Sequence, residues 1–406
     1  MAQPFDAVPI TDRVHWVGAI DWIITEFHGY ATSRGTTYNA YLVMDEKVTL
    51  VDTVKAPFRD EMMSRIRSVV DPSDIEIIIS NHSEMDHSGC LPEVVEAVRP
   101  AKVLASKNGK KALEAHFHGV AGVEAVEDGQ TVSLGDTDAT FVETRMLHWP
   151  DSMMTYLSGE EILFSQDGFG MHLASTERFA DQLPRDILYA ELAKYYANIL
   201  LPFSKLVTKA VAGLREMALP IKMIAPDHGP IYRENVSWAV DLWGRWADLK
   251  PTRKAVVVFD TMWQSTEAMA GVVAEGLLEG GADSVKVMPL SAWHRSDVAM
   301  ELLEAGALVV GSPTLNNTLF PTVADCLTYL KGLDRKNLVG AAFGSYGWNG
   351  KAVGELEGWL ETMGVERVAD SVSLTYVPDT DGLATCRHLG RQVAEAMVER
   401  AEADRT

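Results

Sequence analysis

Segment 81–89, which reads NHSEMDHSG, constrains the fold of this chain more than any other segment. Within six residues it carries two histidines and two acids, His82, Glu84, Asp86 and His87. The preceding residues 75–79 are mostly isoleucine and predict a buried strand. Functional side chains commonly converge on loops at strand ends. We therefore expect a strand, a loop that presents these four side chains, and then a helix.

The spacing of the four side chains predicts that one turn supplies two neighbouring metal ions. His82, Glu84 and Asp86 are two residues apart and point to one side of an extended or looped backbone, whereas His87 points across from Asp86. Imidazole and carboxylate ligands suit zinc, iron or manganese. The alternative is a helix that begins here, capped by Ser83 or Asp86, with its histidines on the surface. The density of histidines and acids favours the metal site.

Length and composition indicate a globular protein of two or three domains. The chain has 406 residues, of which 47% are hydrophobic, and no uninterrupted apolar segment approaches the roughly 20 residues of a membrane helix. The first ten residues lack the pattern of a secretion signal, so we expect a cytoplasmic protein. A net charge of -21 disfavours binding to nucleic acid or to an anionic membrane. Cys90, Cys326 and Cys386 form no C-x-x-C motif, so any iron–sulfur or rubredoxin centre must come from a partner.

Alternating apolar residues predict strands at 14–24 and 39–52, the second folded into a hairpin at the polar turn 45–47. The polar segment 28–38 between them predicts a loop outside the core, in which His28 is a pocket residue or simply exposed. Helices are predicted at 58–70 and 91–98. Further strands are expected at 101–105, 140–144, 161–165 and 221–225. Three of these four lead into a possible metal ligand, namely His148, Asp167 and His228.

At any one of these loops a hydrogen-bonded histidine or a capping aspartate is as plausible as a metal ligand. Together with segment 81–89 they indicate a metal site. On these residues, segment 1–249 resembles the metallo-β-lactamase fold, an αββα sandwich whose ligands lie on loops along one edge. The hydrolytic zinc members usually have a histidine where this chain has Glu84. The added negative charge offsets that of ferric iron better than it serves a zinc hydroxide.

The basic, proline-containing segment 250–254 predicts a joint, so that residues 254–406 form a second domain. An apolar strand at 255–259 leads through a hydroxyl-rich loop to a helix at 267–279. The helix N-terminus and the hydroxyls of Thr261, Ser265 and Thr266 predict a phosphate site. Loops 309–317 and 341–350 also follow apolar strands, which predicts a doubly wound parallel sheet.

This second half resembles flavodoxin, although its phosphate loop differs from the commonest flavodoxin sequence. The alternative is an α/β domain without a cofactor. The resemblance implies that FMN is bound by three loops. Their candidate residues are Thr261, Met262, Trp263, Gln264, Ser265, Thr266, Pro313, Thr314, Leu315, Asn316, Gly344, Ser345, Tyr346, Gly347, Trp348 and Gly350.

The combination of both halves resembles the flavodiiron proteins, or A-type flavoproteins, over essentially the whole chain. The resemblance implies that His82, Glu84 and His148 bind one iron, that Asp86, His87 and His228 bind the other, and that Asp167 bridges them. It implies reduction of dioxygen to water or of nitric oxide to nitrous oxide, with electrons passed through FMN. It also places His28 and one of the adjacent pair Tyr195 and Tyr196 near the open face of the irons as hydrogen-bond donors.

The same resemblance implies a head-to-tail homodimer, or a dimer of such dimers, and a rubredoxin or a reduced deazaflavin as electron donor. We expect activity with both gases and a preference for dioxygen. Two alternatives stay open on the residues alone. One is a zinc-dependent hydrolase whose flavodoxin-like domain mediates assembly, and the other is a flavoprotein electron carrier with a structural metal site.

Overall fold

The computed structural model describes residues 4–118, 122–217 and 219–404. The chain forms two compact units. The first comprises Met1–His28, Thr32–Tyr195 and Lys205–Gly244, and the second comprises Gly29–Ala31, Tyr196–Ser204 and Arg245–Thr406. The division into domains at residues 249 and 254 stays a prediction.

The strands of the N-terminal part are short, and most belong to two sheets. In chain order they are β1 (Val8–Pro9), β2 (Val14–Trp16), β3 (Ala19–Asp21), β4 (Glu26–Phe27), β5 (Tyr30–Ala31), β6 (Thr36–Tyr38), β7 (Tyr41–Val43), β8 (Val48–Val51), β9 (Ile75–Ser80), β10 (Lys102–Ser106), β11 (Val123–Val126), β12 (Thr131–Ser133), β13 (Asp138–Glu143), β14 (Met153–Leu157), β15 (Ile162–Gln166) and β16 (Met223–Pro226). One sheet has the order β1-β2-β7-β8-β9-β10-β11, and the other runs from β12 to β16 in sequence order.

The helices of this part, in chain order, are α1 (Arg59–Arg67), α2 (Met85–Ser88), α3 (Leu91–Val98), α4 (Lys107–His116), α5 (Arg185–Tyr195), α6 (Ser204–Glu216) and α7 (Val236–Ala247). Short 3-10 turns lie at Ala56–Phe58, Pro72–Asp74, Ala180–Gln182 and Leu201–Phe203, and a π-helical turn lies at Tyr196–Leu200.

The isoleucines of β9 explain how the layers pack. Ile77 and Ile79 belong to the core between the two sheets, together with Phe141 and Phe164. Ile78 faces the other side, where residues of α1, α3 and α4 cover the sheet. A strand buried on both faces has a nearly continuous apolar sequence. This arrangement confirms the predicted sandwich and the predicted strand, loop and helix around segment 81–89.

The expectation that segment 28–38 lies outside the core is wrong at its C-terminal end. Residues Thr36, Thr37 and Tyr38 form β6, which pairs with β3, and all three are buried. Their polar groups are satisfied internally, since the Tyr38 hydroxyl donates to Asp21 at 3.1 Å. Predicted strand 14–24 is likewise two strands, β2 and β3, rather than one.

The second unit contains a parallel sheet with helices packed on it. Its strands are β17 (Lys254–Phe259), β18 (Ser284–Pro289), β19 (Ala307–Gly311), β20 (Thr314–Leu315), β21 (Thr318–Leu319), β22 (Val339–Tyr346), β23 (Glu366–Arg367) and β24 (Val372–Thr375). Its helices are α8 (Ser265–Glu279), α9 (Arg295–Leu302), α10 (Pro321–Leu333), α11 (Lys351–Thr362) and α12 (Thr380–Ala403). The sheet order is β18-β17-β19-β22, with β23 and β24 both paired to β22. This confirms the predicted doubly wound, flavodoxin-like sheet.

Arg335 and the three cysteines are buried. The Arg335 guanidinium donates to the carbonyl oxygens of Leu302, Leu249 and Ala305 at 3.0–3.1 Å. All three cysteines are free and buried, and burial raises the pKa of Cys326 to about 12 and that of Cys386 to about 11. Within the described ranges no helix has both the length and the apolar character needed to span a membrane.

Candidate metal centre and cofactor cavity

The side chains predicted as metal ligands converge in one cluster of the first unit. Four come from the segment after β9, and the others follow β13, β15 and β16. Their donor atoms form two groups, one of His82, Glu84, His148 and Asp167 and one of Asp86, His87 and His228. All are buried except His148, which is half-buried. Gly229, directly after His228, has a φ of +79°, a conformation that favours glycine. A Cβ atom at this position would also lie 2.8 Å from the Met171 carbonyl oxygen, so the turn after His228 requires glycine.

The first group surrounds one position. His82 Nε2 lies 3.3 Å from both Glu84 Oε2 and Asp167 Oδ2. His148 Nε2 lies 3.2 Å from the same two oxygens. Ligand atoms bound to one ion at about 2.0–2.2 Å are separated from each other by about 3.0–3.5 Å. The separations in this group therefore fit a single metal ion.

The second group surrounds a neighbouring position. His228 Nε2 lies 3.2 Å from both Asp86 Oδ2 and His87 Nε2. The other oxygen of Asp167, Oδ1, lies 3.3 Å from His87 Nε2. The two carboxylate oxygens of Asp167 therefore face different groups, which is the arrangement of a bridging ligand.

The tautomer of His228 tests whether a metal fits here. His228 Nδ1 lies 2.6 Å from the Thr37 carbonyl oxygen, which requires an Nδ1–H donor and directs the Nε2 lone pair toward His87. Two imidazole nitrogens face each other at 3.2 Å, and a cation between them accepts both lone pairs.

The acids and histidines of the cluster shift each other's pKa. Burial disfavours the charged form of His87, but the carboxylates of Asp86, Asp227 and Asp167 outweigh it and raise its pKa to about 10. Burial likewise opposes ionisation of Asp167, yet hydrogen bonds from His148 and His87 hold its pKa well below the usual value. The Asp167 carboxylate therefore stays ionised, and the carboxylates that raise the pKa of His87 would equally stabilise a metal cation in place of its proton.

A second layer of polar residues holds the ligand loop. Asp151 Oδ2 lies 3.3 Å from His82 Nδ1 and accepts the Ser83 backbone N–H at 2.6 Å. Asp52 accepts both the backbone and the side-chain N–H of Asn81 at 2.7 Å. Sequence reasoning missed these roles. The sequence offered two signals for them. Asp151 lies three residues after His148, and Asp52 ends the predicted strand 39–52.

Of the three predicted hydrogen-bond donors, two lie at the cluster. His28 Nε2 is 3.1 Å from Glu84 Oε1. The Tyr195 hydroxyl is within hydrogen-bonding reach of Asp167, and burial together with this carboxylate raises its pKa well above the usual value. The placement of Tyr196 is different, since its hydroxyl lies 3.2 Å from Ser204 Oγ and its ring packs on Trp246. Of the adjacent pair, the structure therefore brings Tyr195 to the ligands.

His172 is a buried residue of the cluster that no motif indicated. Its ring packs against Tyr195 and His228, and its Nδ1 lies 2.9 Å from Thr36 Oγ1. Burial and the nearby His228 hold its pKa well below the usual value, so the ring is neutral. A lone histidine in the sequence MHLAS gives no signal of this position.

The second unit contains a cavity of about 650 Å³ at the ends of its strands. Its walls include most of the predicted FMN residues, and residues that sequence reasoning missed. The predicted ones are Met262, Trp263, Ser265, Pro313, Thr314, Leu315, Asn316, Ser345, Tyr346, Gly347 and Trp348, and the missed ones are Asn317, Asn349, Tyr376 and Val377.

Five predicted FMN residues, Thr261, Gln264, Thr266, Gly344 and Gly350, do not line this cavity. The Thr266 hydroxyl is 3.0 Å from Ser345 Oγ and is fully buried, so it supports the wall from behind. Gly350 lies against the Tyr346 ring, which a Cβ atom would approach to 2.9 Å. Of the missed residues, Asn317 and Asn349 fall within the predicted loops, whereas Tyr376 and Val377 follow β24, which was not predicted.

The cavity suits a planar ring with a phosphate. Trp348 and Trp263 are 90% and 88% exposed, too much for residues of a core. Gln264, in the left-handed conformation, leads into the N-terminus of α8, where backbone N–H groups are free to bind an anion. Thr261 Oγ1 nearby is buried without a hydrogen-bond partner among the described residues. The residues that line the cavity are uncharged.

Comparison with protein-family models finds one match in the part of the chain with the metal cluster and another in the part with the cavity. Residues 36–229 match the ODP family beta lactamase, and residues 257–390 match flavodoxin.

The chain is also similar to characterised proteins over nearly its whole length. It is 44% identical to the nitric oxide reductase of Moorella thermoacetica, over 98% of this chain and 100% of that protein. It is 44% identical to the rubredoxin-oxygen oxidoreductase of Megalodesulfovibrio gigas, over 96% of this chain and 98% of that protein. Among solved structures, the flavodiiron protein from Giardia intestinalis superposes with a TM-score of 0.94 at 30% identity, covering 98% of both chains.

Proposed function

The chain belongs to the flavodiiron protein family, and on this premise we propose that it reduces both dioxygen and nitric oxide and prefers dioxygen. It is an oxidoreductase that uses FMN and two irons. The observation that carries the proposal is Asp167, whose two carboxylate oxygens face two different groups of ligands. A single structural metal would not need a carboxylate in that position.

We assign His82, Glu84 and His148 to one iron, Asp86, His87 and His228 to the other, and Asp167 to both. When bound, the irons supply electrons to the gas, and FMN replaces those electrons. The residues of the FMN cavity hold the flavin, with Trp348 and Tyr346 beside its ring and the start of α8 at its phosphate.

His28 and Tyr195 act as hydrogen-bond donors to the reacting gas. Because the pKa of Tyr195 is raised well above its usual value, its hydroxyl keeps its proton and can donate. Reduction places negative charge on either gas, so a fixed donor stabilises both reactions. This common requirement, and the names of two relatives at equal identity, support activity with both gases.

Of the two gases, we expect dioxygen to be preferred. Three carboxylates, Glu84, Asp86 and Asp167, favour the ferric state of the irons. Dioxygen takes four electrons on its way to water, whereas each nitric oxide takes one on its way to nitrous oxide. Both gases take electrons from the irons, so these ligands serve both reactions.

Electrons reach the flavin from a separate rubredoxin or a reduced deazaflavin, and the active form is a head-to-tail homodimer or a dimer of such dimers. The name of the Megalodesulfovibrio gigas relative supports the rubredoxin. We place the protein in the cytoplasm, where its free cysteines stay reduced. The zinc hydrolase interpretation is disfavoured, because the named relatives are oxidoreductases.

One set of measurements tests the proposal. Metal and flavin analysis of the purified chain should give two irons and one FMN, whereas two zinc ions would support a hydrolase. Steady-state turnover with reduced rubredoxin, with each gas supplied separately, should show both activities and a higher kcat/KM for dioxygen. A much faster reaction with nitric oxide would overturn the preference. Light scattering after gel filtration should give a dimer or tetramer.

A further inference from the structure

Each histidine of the metal centre has one ring nitrogen that faces the metal position and one that faces away. The group that contacts the second nitrogen differs from one histidine to the next. His82 Nδ1 has Asp151 at 3.3 Å, and His228 Nδ1 has the Thr37 carbonyl at 2.6 Å. His87 Nδ1 is buried and has no hydrogen-bond partner among the described residues. The group it faces is Asp227, whose Oδ2 lies 3.6 Å away.

Asp227 is an unusual carboxylate. Its side chain is fully buried, and both of its oxygens lack a hydrogen-bond partner in the described part of the chain. Its backbone is fixed, because its N–H donates to the Gln166 carbonyl at 2.8 Å and its carbonyl accepts the Asn39 N–H at 2.7 Å. A buried charge without a partner is costly, so a carboxylate in this place requires a compensating cation or donor nearby.

We propose that Asp227 is a positioning residue for the second iron, the one held by Asp86, His87 and His228. Its carboxylate faces the Nδ1–H of His87 at 3.6 Å and so favours the tautomer whose Nε2 lone pair faces the metal. The inference rests on the proposed diiron function and adds a residue outside the predicted ligands. A carboxylate that orients a metal-bound histidine in this way is a general feature of metal sites.

A second buried acid, Asp52, lies nearby but has partners of its own. Asp52 itself is satisfied by two hydrogen bonds from Asn81. Asp227 is therefore the buried carboxylate whose oxygens remain for His87. The first metal has a separate carboxylate of its own, Asp151.

The test compares Asp227→Leu and Asp227→Asn with Asp151→Asn. Cobalt(II) is titrated calorimetrically into the metal-free chain, and anomalous diffraction at the cobalt edge gives the occupancy of each position. We expect Asp227→Leu to weaken the second position by about 10–100-fold and to leave the first filled. Asp227→Asn keeps an acceptor oxygen without the charge and should lose less. Asp151→Asn should weaken the first position instead.

The controls separate this inference from the function on which it rests. A wild-type chain that binds fewer than two ions contradicts both. A wild-type chain with two ions, together with an Asp227→Leu variant that keeps both ions at unchanged affinity or loses both equally, overturns only the role of Asp227. Circular dichroism of the metal-free variants reports folding, and Asp227→Asn, which has nearly the same size, serves if Asp227→Leu does not fold.

Discussion

Trp348 provides a quantitative test of the flavin cavity. Its side chain lines the cavity and is 90% exposed, so a flavin can cover one face of the indole. An aromatic side chain has about 150–250 Å² of surface, of which a stacked ring covers about 100 Å². At about 25 cal/mol per Å² this burial is worth about 2.5 kcal/mol. Removal of one aromatic stacking partner typically costs about 1–3 kcal/mol. Trp348→Ala should therefore weaken FMN binding by about 5–160-fold, and by about 70-fold if the loss is 2.5 kcal/mol.

The FMN-free chain is titrated with FMN, and quenching of the flavin fluorescence reports binding. Trp293→Ala is the matched control, because Trp293 is also exposed, at 45%, but does not line the cavity. The control should keep the wild-type Kd, and both variants should keep the wild-type Tm without FMN. If Trp348→Ala binds FMN as tightly as the control and its flavin has the same reduction potential, the stacking role is wrong.

Four further variants test other parts of the structure. Asp167→Ala should lose a ligand from both groups, so that iron analysis finds less than one ion per chain while FMN stays at one; near-normal iron content would contradict its bridging role. Tyr195→Phe and, separately, His28→Ala should each lower turnover of both gases, by about 100-fold for a preorganised donor; an unchanged rate would remove that residue from the reaction. Arg335→Met leaves buried carbonyls unsatisfied and should lower the free energy of unfolding by about 3 kcal/mol, measured in urea, and a loss below about 1 kcal/mol would refute this estimate.

The clustering of the proposed metal ligands could be predicted because each follows a strand whose sequence is recognisable. The apolar residues of β9, β15 and β16 indicate buried strands, and the ends of neighbouring strands place the next residues together. Thus His82, Asp167 and His228 are far apart in sequence but share one site. The same reasoning found the cavity loops after β17, β19 and β22.

Other parts of the site left no such pattern. His172, Asp151 and Asp227 act through tertiary contacts with the ligands, and such contacts have no fixed spacing along the chain. Tyr195 and Tyr196 are adjacent and chemically alike, so only the direction of each side chain distinguishes them. The burial of Thr36 was missed because segment 28–38 is rich in polar residues. The Thr36 hydroxyl can be buried because it hydrogen-bonds to His172, a tertiary contact that the sequence does not reveal.

The buried cysteines have a consequence for a protein that handles dioxygen. The species that oxidants attack is the thiolate, and a raised pKa combined with burial keeps Cys90, Cys326 and Cys386 in the protonated, inaccessible form. We therefore expect the chain to turn over dioxygen without sulfenylation of these three cysteines. Maleimide or iodoacetamide labelling should consequently report unfolding, and the native enzyme needs no added thiol to survive repeated exposure to its substrate.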